Sequence, residues 1–487
     1  MCQFIDFSPM NDHSKIDLHE LWLANRNGGF SSPKFKILQI TISFRHKSPI
    51  VLDFGKDSLG THHFFSLLIG RNGVYKSSLL RALIDFIVDV RNSNQTVSRR
   101  NNPITILSLE YLLDSHQYKI VDYNKIFTYS IDGEPASKED MRFPLVVAST
   151  MGMFDKFPVN SIPGRERNLR YDSAYYRYVG PKASNNMFTS KTNVLLHLLS
   201  SLDEIEDENQ LRKIGDILKY IGYDPKIMFR FKLKDIVGEA LLVKRDLLDA
   251  KTLLFLDRMR NKEKPYRIIK PDSDSLSKVR KLNIRAIDRL RQEGMLTAFR
   301  CCLYKNGEEV ECNQLSSGEF NMLSIVLSVI LSVNQQHLLV LLDEPEISQH
   351  PNWQVEIIDK LDEALADYRC HFLIATHSHF LVSNLPLQRS NIITLEEQER
   401  NINVKTIPSQ TYGWSAEEVL LKVFEMSTDR NRYLAEIVGK LMSKIGINDI
   451  TIDEVKQEIN FLRKVSNSLS EVDPMKKIIW TIINSFV

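Results

Sequence analysis

The sequence predicts an α/β fold. A parallel sheet carries a phosphate-binding loop, and an antiparallel β subdomain, a helical insert and a helical C-terminal tail are added to it. Three stretches predict this. Gly70–Ser78, GRNGVYKSS, lies between the apolar run Phe64–Ile69 and a helical pattern that starts at Leu79. Leu338–Leu342 is a run of consecutive apolar residues that ends in Asp343-Glu344-Pro345-Glu346. Phe372–Ala375 repeats that geometry and ends in Thr376-His377-Ser378-His379.

Strand, glycine-rich turn and helix is the context in which successive backbone N–H groups and a helix N-terminus cradle phosphates. Gly70, Lys76 and Ser77 stand at the template's defining positions, and Gly73 loosens the loop that also holds Arg71, Asn72 and Val74. Lys76 is expected to reach the β- and γ-phosphates, and the Ser77 hydroxyl to hold Mg²⁺, with Ser78 beside it. Tyr75 departs from the template, which wants Gly before the Lys. A Cβ and a phenol are expected to crowd the phosphates there.

Taken in order, residues 1–32 read as a polar leader with one short helical piece, Leu18–Leu23. Residues 33–190 form a first lobe. Alternation in Lys34–Phe44 and the short run Ile50–Phe54 read as strands feeding the loop. The helix after the loop runs to about Val90, and Arg91–Asn102 reads as a surface loop. Ile104–Leu112, Tyr118–Tyr123, Lys125–Ile131 and the β-branched Leu145–Ser149 read as further strands. The segment Arg165–Lys182 mixes Arg165, Arg167, Arg170, Arg177 and Lys182 with Tyr171, Tyr175, Tyr176 and Tyr178. It reads either as a base-stacking surface or as a core with a charged rim.

Residues 191–294 read as a mostly helical insert: Asn193–Leu202, Glu206–Ile221, Lys234–Arg260 and Leu276–Glu293. On the last, Lys278, Lys281, Arg285 and Arg289 recur at helical spacing opposite an apolar face; they fit either a phosphate-binding row or an ordinary solvated one. Residues 295–410 form the second half of the lobe, opened by a hairpin around Asn306-Gly307. Residues 411–487 read as a helical tail: Ser415–Met426 and Thr451–Ser466, each opened by a capping box, and Arg432–Ile445 between them.

In the second half of the lobe, Leu315-Ser316-Ser317-Gly318-Glu319 precedes a helix and fits a capping box as it stands. Asp343 and Glu344 end a strand buried on both faces, the edge where ligands bind in open α/β sheets. Asp343 is the candidate for the Mg²⁺ shell and Glu344 for the carboxylate that orients or deprotonates the attacking water. His377, delivered to the same edge, is the candidate γ-phosphate contact. Singly, each reads as well as a helix cap or a structural hydrogen-bonder; together and in this order they point to one nucleotide site.

GRNGVYKS, LSSGE, LLVLLDEPE and ATHS resemble the Walker A, signature, Walker B and switch-histidine motifs of the ABC-type ATPases. The resemblance is to the head domains of the structural-maintenance-of-chromosomes (SMC) and recombination-repair branch. It implies a P-loop NTPase head that binds ATP and Mg²⁺. It also implies composite sites in a homo-oligomer, at least a dimer, where Ser316, Ser317, Gly318 and Glu319 meet the γ-phosphate held by another protomer. No glutamine-loop Gln is visible, and Asp155 lies nearest its place.

A compact head, a helical insert, Asp155-Lys156-Phe157-Pro158 after a strand and Gly413-Trp414-Ser415 entering a helical tail make the whole similar to the ATPase subunits of Septu anti-phage systems, retron-linked forms included. That resemblance implies a separate HNH nuclease as partner, with DNA or retron msDNA and its reverse transcriptase as further ones. The alternatives are the ATPase of a PARIS-like system holding a TOPRIM effector, or an SMC-like DNA-repair ATPase.

Composition agrees with a globular protein of more than one lobe: 487 residues, 43% hydrophobic and 25% charged. A formal net charge of +2 excludes a globally basic nucleic-acid binder. The cysteines, Cys2, Cys301, Cys302, Cys312 and Cys370, are odd in number and form no C-x-x-C pair, which argues for reduced thiols in the cytoplasm. No export signal and no membrane-length apolar run is visible.

Overall fold

The computed structural model describes residues 35–484 except 45–47, 56–62, 72, 93–101, 153–154, 161–170, 173, 185–186, 189, 206–207, 235–238, 261–265, 270–282, 333–336, 366–368, 388, 399–400, 409–410, 425–431, 447–451 and 470–473. The leader, Asn72, nearly all of the Arg91–Asn102 loop, Arg165, Arg167, Arg170, Lys278, Lys281 and the Thr451 cap therefore lie outside the described residues.

A seven-stranded sheet forms the centre, in the order Asn401–Pro408, Ser390–Gln398, Phe64–Gly70, Arg369–Ala375, His337–Asp343, Leu145–Thr150, Tyr176–Val179. Every neighbouring pair is parallel except the first, an antiparallel edge hairpin. The continuous apolar runs explain this arrangement, because strands covered on both faces cannot alternate with polar residues. Phe65, Leu67, Val340, Leu342, Phe372 and Ile374 face one core; Leu68, Leu339, Leu341, Leu373 and Ala375 face the other. The first core is closed by helices that include Lys191–Leu199, Ser317–Ile330 and Pro351–Ala364. The second is closed by the helix Lys76–Arg91 and a six-stranded antiparallel sheet in the order Ile50–Asp53, Phe35–Phe44, Ile104–Leu113, His116–Tyr123, Ile126–Ile131, Glu134–Ala136. The fold is thus the expected mixed α/β nucleotide-binding type with an antiparallel subdomain.

The insert is not purely helical. Asp224–Leu233 is a strand, paired with Tyr266–Ile269 on one side and with Leu296–Lys305 of the predicted hairpin on the other. Ile227, Phe229 and Phe231 are buried at every second position and Arg230 and Lys232 are not, while the buried Met228 interrupts the alternation. The expected single helix Lys234–Arg260 is two, Glu239–Arg245 and Ala250–Arg260. Asp249 restarts the chain by accepting the Thr252 N–H at 2.9 Å, as an N-cap does.

The tail holds four helices among its described residues: Ala416–Lys422, Arg432–Gly446, Ile452–Ser468 and Pro474–Asn484. The last was not expected; Pro474 opens it, and Ile479, Ile482 and Ile483 recur at helical spacing. The tail has its own core of Leu434, Val438, Leu441, Ile459, Leu462, Val465 and the C-terminal isoleucines. Ala416–Lys422 joins the two bodies, since Leu421 enters the tail core while Val419 packs into the ATPase core.

Candidate functional site

The loop is built by local rules. Gly70 ends its strand where an added Cβ would meet the Leu395 carbonyl oxygen at 2.6 Å, so only glycine fits beside the neighbouring strand. Gly73 takes φ +90°. Tyr75 takes φ 63° as the residue before the helix, a left-handed conformation that costs a side-chain-bearing residue about 1–2 kcal/mol. Its ring does not stand over the loop as expected. It leans on Phe44, centroids 5.5 Å apart, and packs against the antiparallel lobe. Val74 is buried in that same core, and Arg71 is exposed.

Parallel pairing brings the other stretches to the same edge. Asp343 sits opposite Ala375 and Thr150, and Ala375 opposite Leu68, so the strands end level beside the loop. Lys76 is buried, and its Nζ donates to Gly70 O at 2.8 Å and to His377 Nε2 at 2.7 Å. Ser77 Oγ donates to Asp343 Oδ1 at 3.0 Å. Ser78 Oγ accepts from Lys156 Nζ at 2.9 Å. Glu344 takes φ 49°, and its N–H bonds to Ala375 O at 2.8 Å. A left-handed non-glycine residue at a ligand edge is the kind of strain that persists when the surroundings over-determine it.

The electrostatics follow from burial. Burial lowers the Lys76 pKa against the pull of Glu344, Asp343 and Glu346. Burial lifts the Asp343 carboxyl to about 7, aided by the charges of Glu344 and Asp155 and opposed by Ser77 and Lys76. Burial and the Lys76 charge lower the His377 pKa, so the imidazole is neutral and accepts the lysine proton at Nε2. Its 3.7 Å approach to Glu344 Oε1 is therefore a close contact and not an ion pair.

Asp155 is sealed in by the Tyr178 hydroxyl and by Lys182, whose Nζ lies 3.6 Å from Oδ2. Its charge is felt at Asp343, which places it at this edge.

The signature residues are elsewhere. Ser316 caps the helix Ser317–Ile330, accepting the Glu319 N–H at 3.2 Å while Glu319 Oε2 accepts the Ser316 N–H at 2.7 Å. Tyr223 donates to Glu319 at 3.2 Å. Ser316 and Ser317 are exposed. Among the described residues no hydrogen bond joins this sequence to the phosphate loop. Gly318 is needed inside its own chain: a Cβ there would meet Ser348 O at 2.6 Å and the Trp353 ring at 3.3 Å. A large residue at Gly318 would therefore disturb the protomer itself.

Of two polar stretches read from the sequence, the four tyrosines and Arg289 have partners inside the fold. Tyr176 donates to Pro158 O at 2.7 Å, Tyr171 to Asp85 at 2.6 Å, Tyr178 to Asp155, and Tyr175 pairs with Asn92 at 2.9 Å. The tyrosines are core and rim. Arg289 bonds Leu247 O at 2.9 Å and lies 3.3 Å from Glu293. Sequence reasoning assigns no role to Glu346, whose Oε1 accepts from Thr376 Oγ1 and His377 N, both at 2.7 Å. It assigns none to Asn321, whose Nδ2 donates to Pro345 O and Ile347 O, both at 2.8 Å. Their only local signal is a second carboxylate after Asp343-Glu344 and an amide one turn into the signature helix.

The AAA ATPase domain family matches residues 165–382. The Retron Ec83 probable ATPase of Escherichia coli is 21% identical over 84% of both chains. The Retron Vc95 probable ATPase of Vibrio cholerae is 28% identical over 24% of each, and Septu protein PtuA of Bacillus thuringiensis 23% identical over 36% of this chain and 47% of its own. The chain thus spans about a quarter and about half of these last two relatives. Among solved structures, an SMC head bound to the C-terminal winged-helix domain of ScpA covers 77% of this chain and 98% of its own at 12% identity and TM-score 0.38. No described helix is long and apolar enough to cross a membrane. The chain carries an ATP-binding ATPase domain and is similar at low identity to the probable ATPases of two retrons and to a Septu protein.

Proposed function

We propose that this chain is the ATPase subunit of an anti-phage defence complex of the Septu or retron-linked kind, gating a separate HNH nuclease by nucleotide state. The observation that carries the catalytic half is the convergence of Lys76, Ser77, Asp343, Glu344 and His377, from three separate stretches, at one sheet edge. Lys76 neutralises the β- and γ-phosphates. Glu344 orients and deprotonates the attacking water. Neutral His377 donates a ring N–H to the γ-phosphate, and Lys76 must leave its Nε2 to meet that phosphate.

The Ser77 hydroxyl and Asp343 carboxylate, two hard oxygen donors in contact, fit Mg²⁺. The lift of Asp343 to about 7 marks a carboxylate short of positive charge, which a divalent cation supplies. When bound, Mg²⁺ would neutralise charge on the phosphates undergoing transfer.

Ser316, Ser317 and Glu319 are exposed or half-buried at a helix N-terminus, in keeping with a phosphate held by a second copy. The lobe pieces 33–190 and 295–410 act as one ATPase unit, interrupted by 191–294 and followed by the tail 411–487. The protein works in the cytoplasm, and DNA, or msDNA with its reverse transcriptase, belongs to the assembled complex.

The tail is the proposed docking body, because it has a core of its own. Trp414, Val419, Val423 and Phe424 pack on the ATPase core, and Ile459 and Leu462 on the tail's, so the docking surface is made of other tail residues. The test is phosphate release by the purified chain, followed by co-elution with the product of the neighbouring reading frame with and without ATP. Turnover with ATP-dependent capture of an HNH protein supports the proposal. A TOPRIM neighbour favours the PARIS-like alternative, and a DNA-stimulated ATPase without a nuclease partner favours the repair-type one.

A further inference from the structure

We propose that Glu346 is the positioning residue of this site: its carboxylate ties the switch loop to the turn after Asp343 and so sets where His377 and Glu344 stand. This rests on the reading of that edge as an ATP-hydrolysing centre. Thr376–Ser378 belongs to no helix or strand, and each of its groups must be held individually. Thr376 N–H is bonded to Leu68 O at 3.1 Å, which anchors the loop to the phosphate-loop strand. The next N–H, that of His377, goes to Glu346 Oε1 at 2.7 Å. The Thr376 hydroxyl donates to the same oxygen at 2.7 Å and accepts the Ser378 N–H at 2.9 Å. One carboxylate oxygen thus fixes three successive residues around the histidine whose ring touches Lys76 and faces Glu344.

The other end of the tie is equally fixed. Glu346 lies in a turn with two left-handed residues, Glu344 at φ 49° and Ser348 at φ 61°. Asn321 holds the carbonyls on either side of Glu346, at Pro345 and Ile347, to the signature helix. The turn is therefore clamped between the signature helix and the switch loop, and Glu344 is strained inside it. Glu346 Oε2 is buried with no hydrogen-bond partner. The hold is made by one oxygen and by the length of the side chain, so reach and not charge is what the position requires.

The experiment compares full-length wild type, Glu346→Gln, Glu346→Asp and Glu346→Ala. It reads hydrogen–deuterium exchange over residues 376–378 without nucleotide, and steady-state ATP turnover with Mg²⁺, with Glu344→Gln as turnover control. Gln keeps the reach and loses the charge; Asp keeps the charge and loses the reach. Expected is wild-type exchange in Gln and exchange at least about ten-fold faster in Asp and Ala. With it, kcat falls at least about ten-fold in Asp and Ala at KM within about two-fold, and stays within about three-fold in Gln, the pattern of lost alignment. Protected exchange in Asp and Ala, or an active Asp with an inactive Gln, overturns the proposal. If Glu346→Ala does not fold, Asp and Gln decide by the same criteria. Absence of turnover in wild type would defeat the ATP-hydrolysis reading, and the exchange pattern then decides the clamp on its own.

Discussion

The two ends of the central sheet bury polar groups in opposite ways. At the N-terminal end of the strands, His371 accepts the Ile37 N–H at 2.9 Å through Nδ1 and bonds Ser66 Oγ at 2.8 Å through Nε2. Nearby, Arg389 grips Asp362 with two bonds of 2.6 and 2.7 Å, both side chains almost wholly buried. His371 and the Arg389–Asp362 pair are thus matched in charge and geometry within the chain. At the C-terminal end, Asp343 is lifted to about 7, Glu344 is in a left-handed conformation, and Glu346 Oε2 has no hydrogen bond. These pairs are satisfied within the chain, whereas Asp343 and Glu346 at the loop edge keep unused capacity for charge and hydrogen bonds. A ligand site is where the chain leaves its own chemistry unfinished.

Substitutions sharpen this contrast. Glu344→Gln should lower kcat by about 10²–10⁴-fold in a phosphate-release assay, with nucleotide affinity retained, because the amide keeps the shape but takes no proton. Arg389→Ala should do the reverse. It leaves Asp362 buried and unpaired and should cost about 3–5 kcal/mol in denaturant unfolding, with the ATP affinity of the folded fraction unchanged.

Asp343→Asn gives a smaller and pH-dependent effect. The carboxyl titrates near 3.8 when unfolded and about 7 when folded. Between those values the folded state holds a proton that the unfolded chain has released, so stability falls as pH rises through the window. Without nucleotide or Mg²⁺, the variant should melt about 2–4 °C above wild type at about pH 8, and the two should converge near pH 4. Equal melting at both pH values would show that Asp343 is not held short of positive charge. Tyr75→Gly should give the smallest effect: relief of the left-handed strain offsets loss of the packing on Phe44, for a net change within about 1 kcal/mol by thermal melting.

What was legible in the sequence was local. Five apolar residues before Asp343, and the runs before Gly70 and Thr376, fix strands, and Gly70, Gly73 and Lys76 punctuate the loop. The Asn306-Gly307 turn and the Ser316 capping box came through for the same reason. What was missed depends on tertiary placement. Asn321 and Glu346 act through bonds to residues 24 to 31 positions away, and nothing in their neighbours announces those partners. The strand Asp224–Leu233 is not legible because buried Met228 interrupts its alternation, helical stretches surround it and its pairing partners lie far along the chain. The tyrosine-rich segment shows the converse: its composition suits base stacking, but each described phenol is spent on a partner inside the fold.

The central claim, that Lys76, Ser77, Asp343, Glu344 and His377 are one nucleotide site, is tested most directly by calorimetric titration of ATP with Mg²⁺ into wild type and Lys76→Ala. The account predicts saturable binding by wild type and affinity weaker by at least about 100-fold in the variant, since the buried ammonium that meets the β- and γ-phosphates is gone. Equal affinity in the two proteins would contradict it.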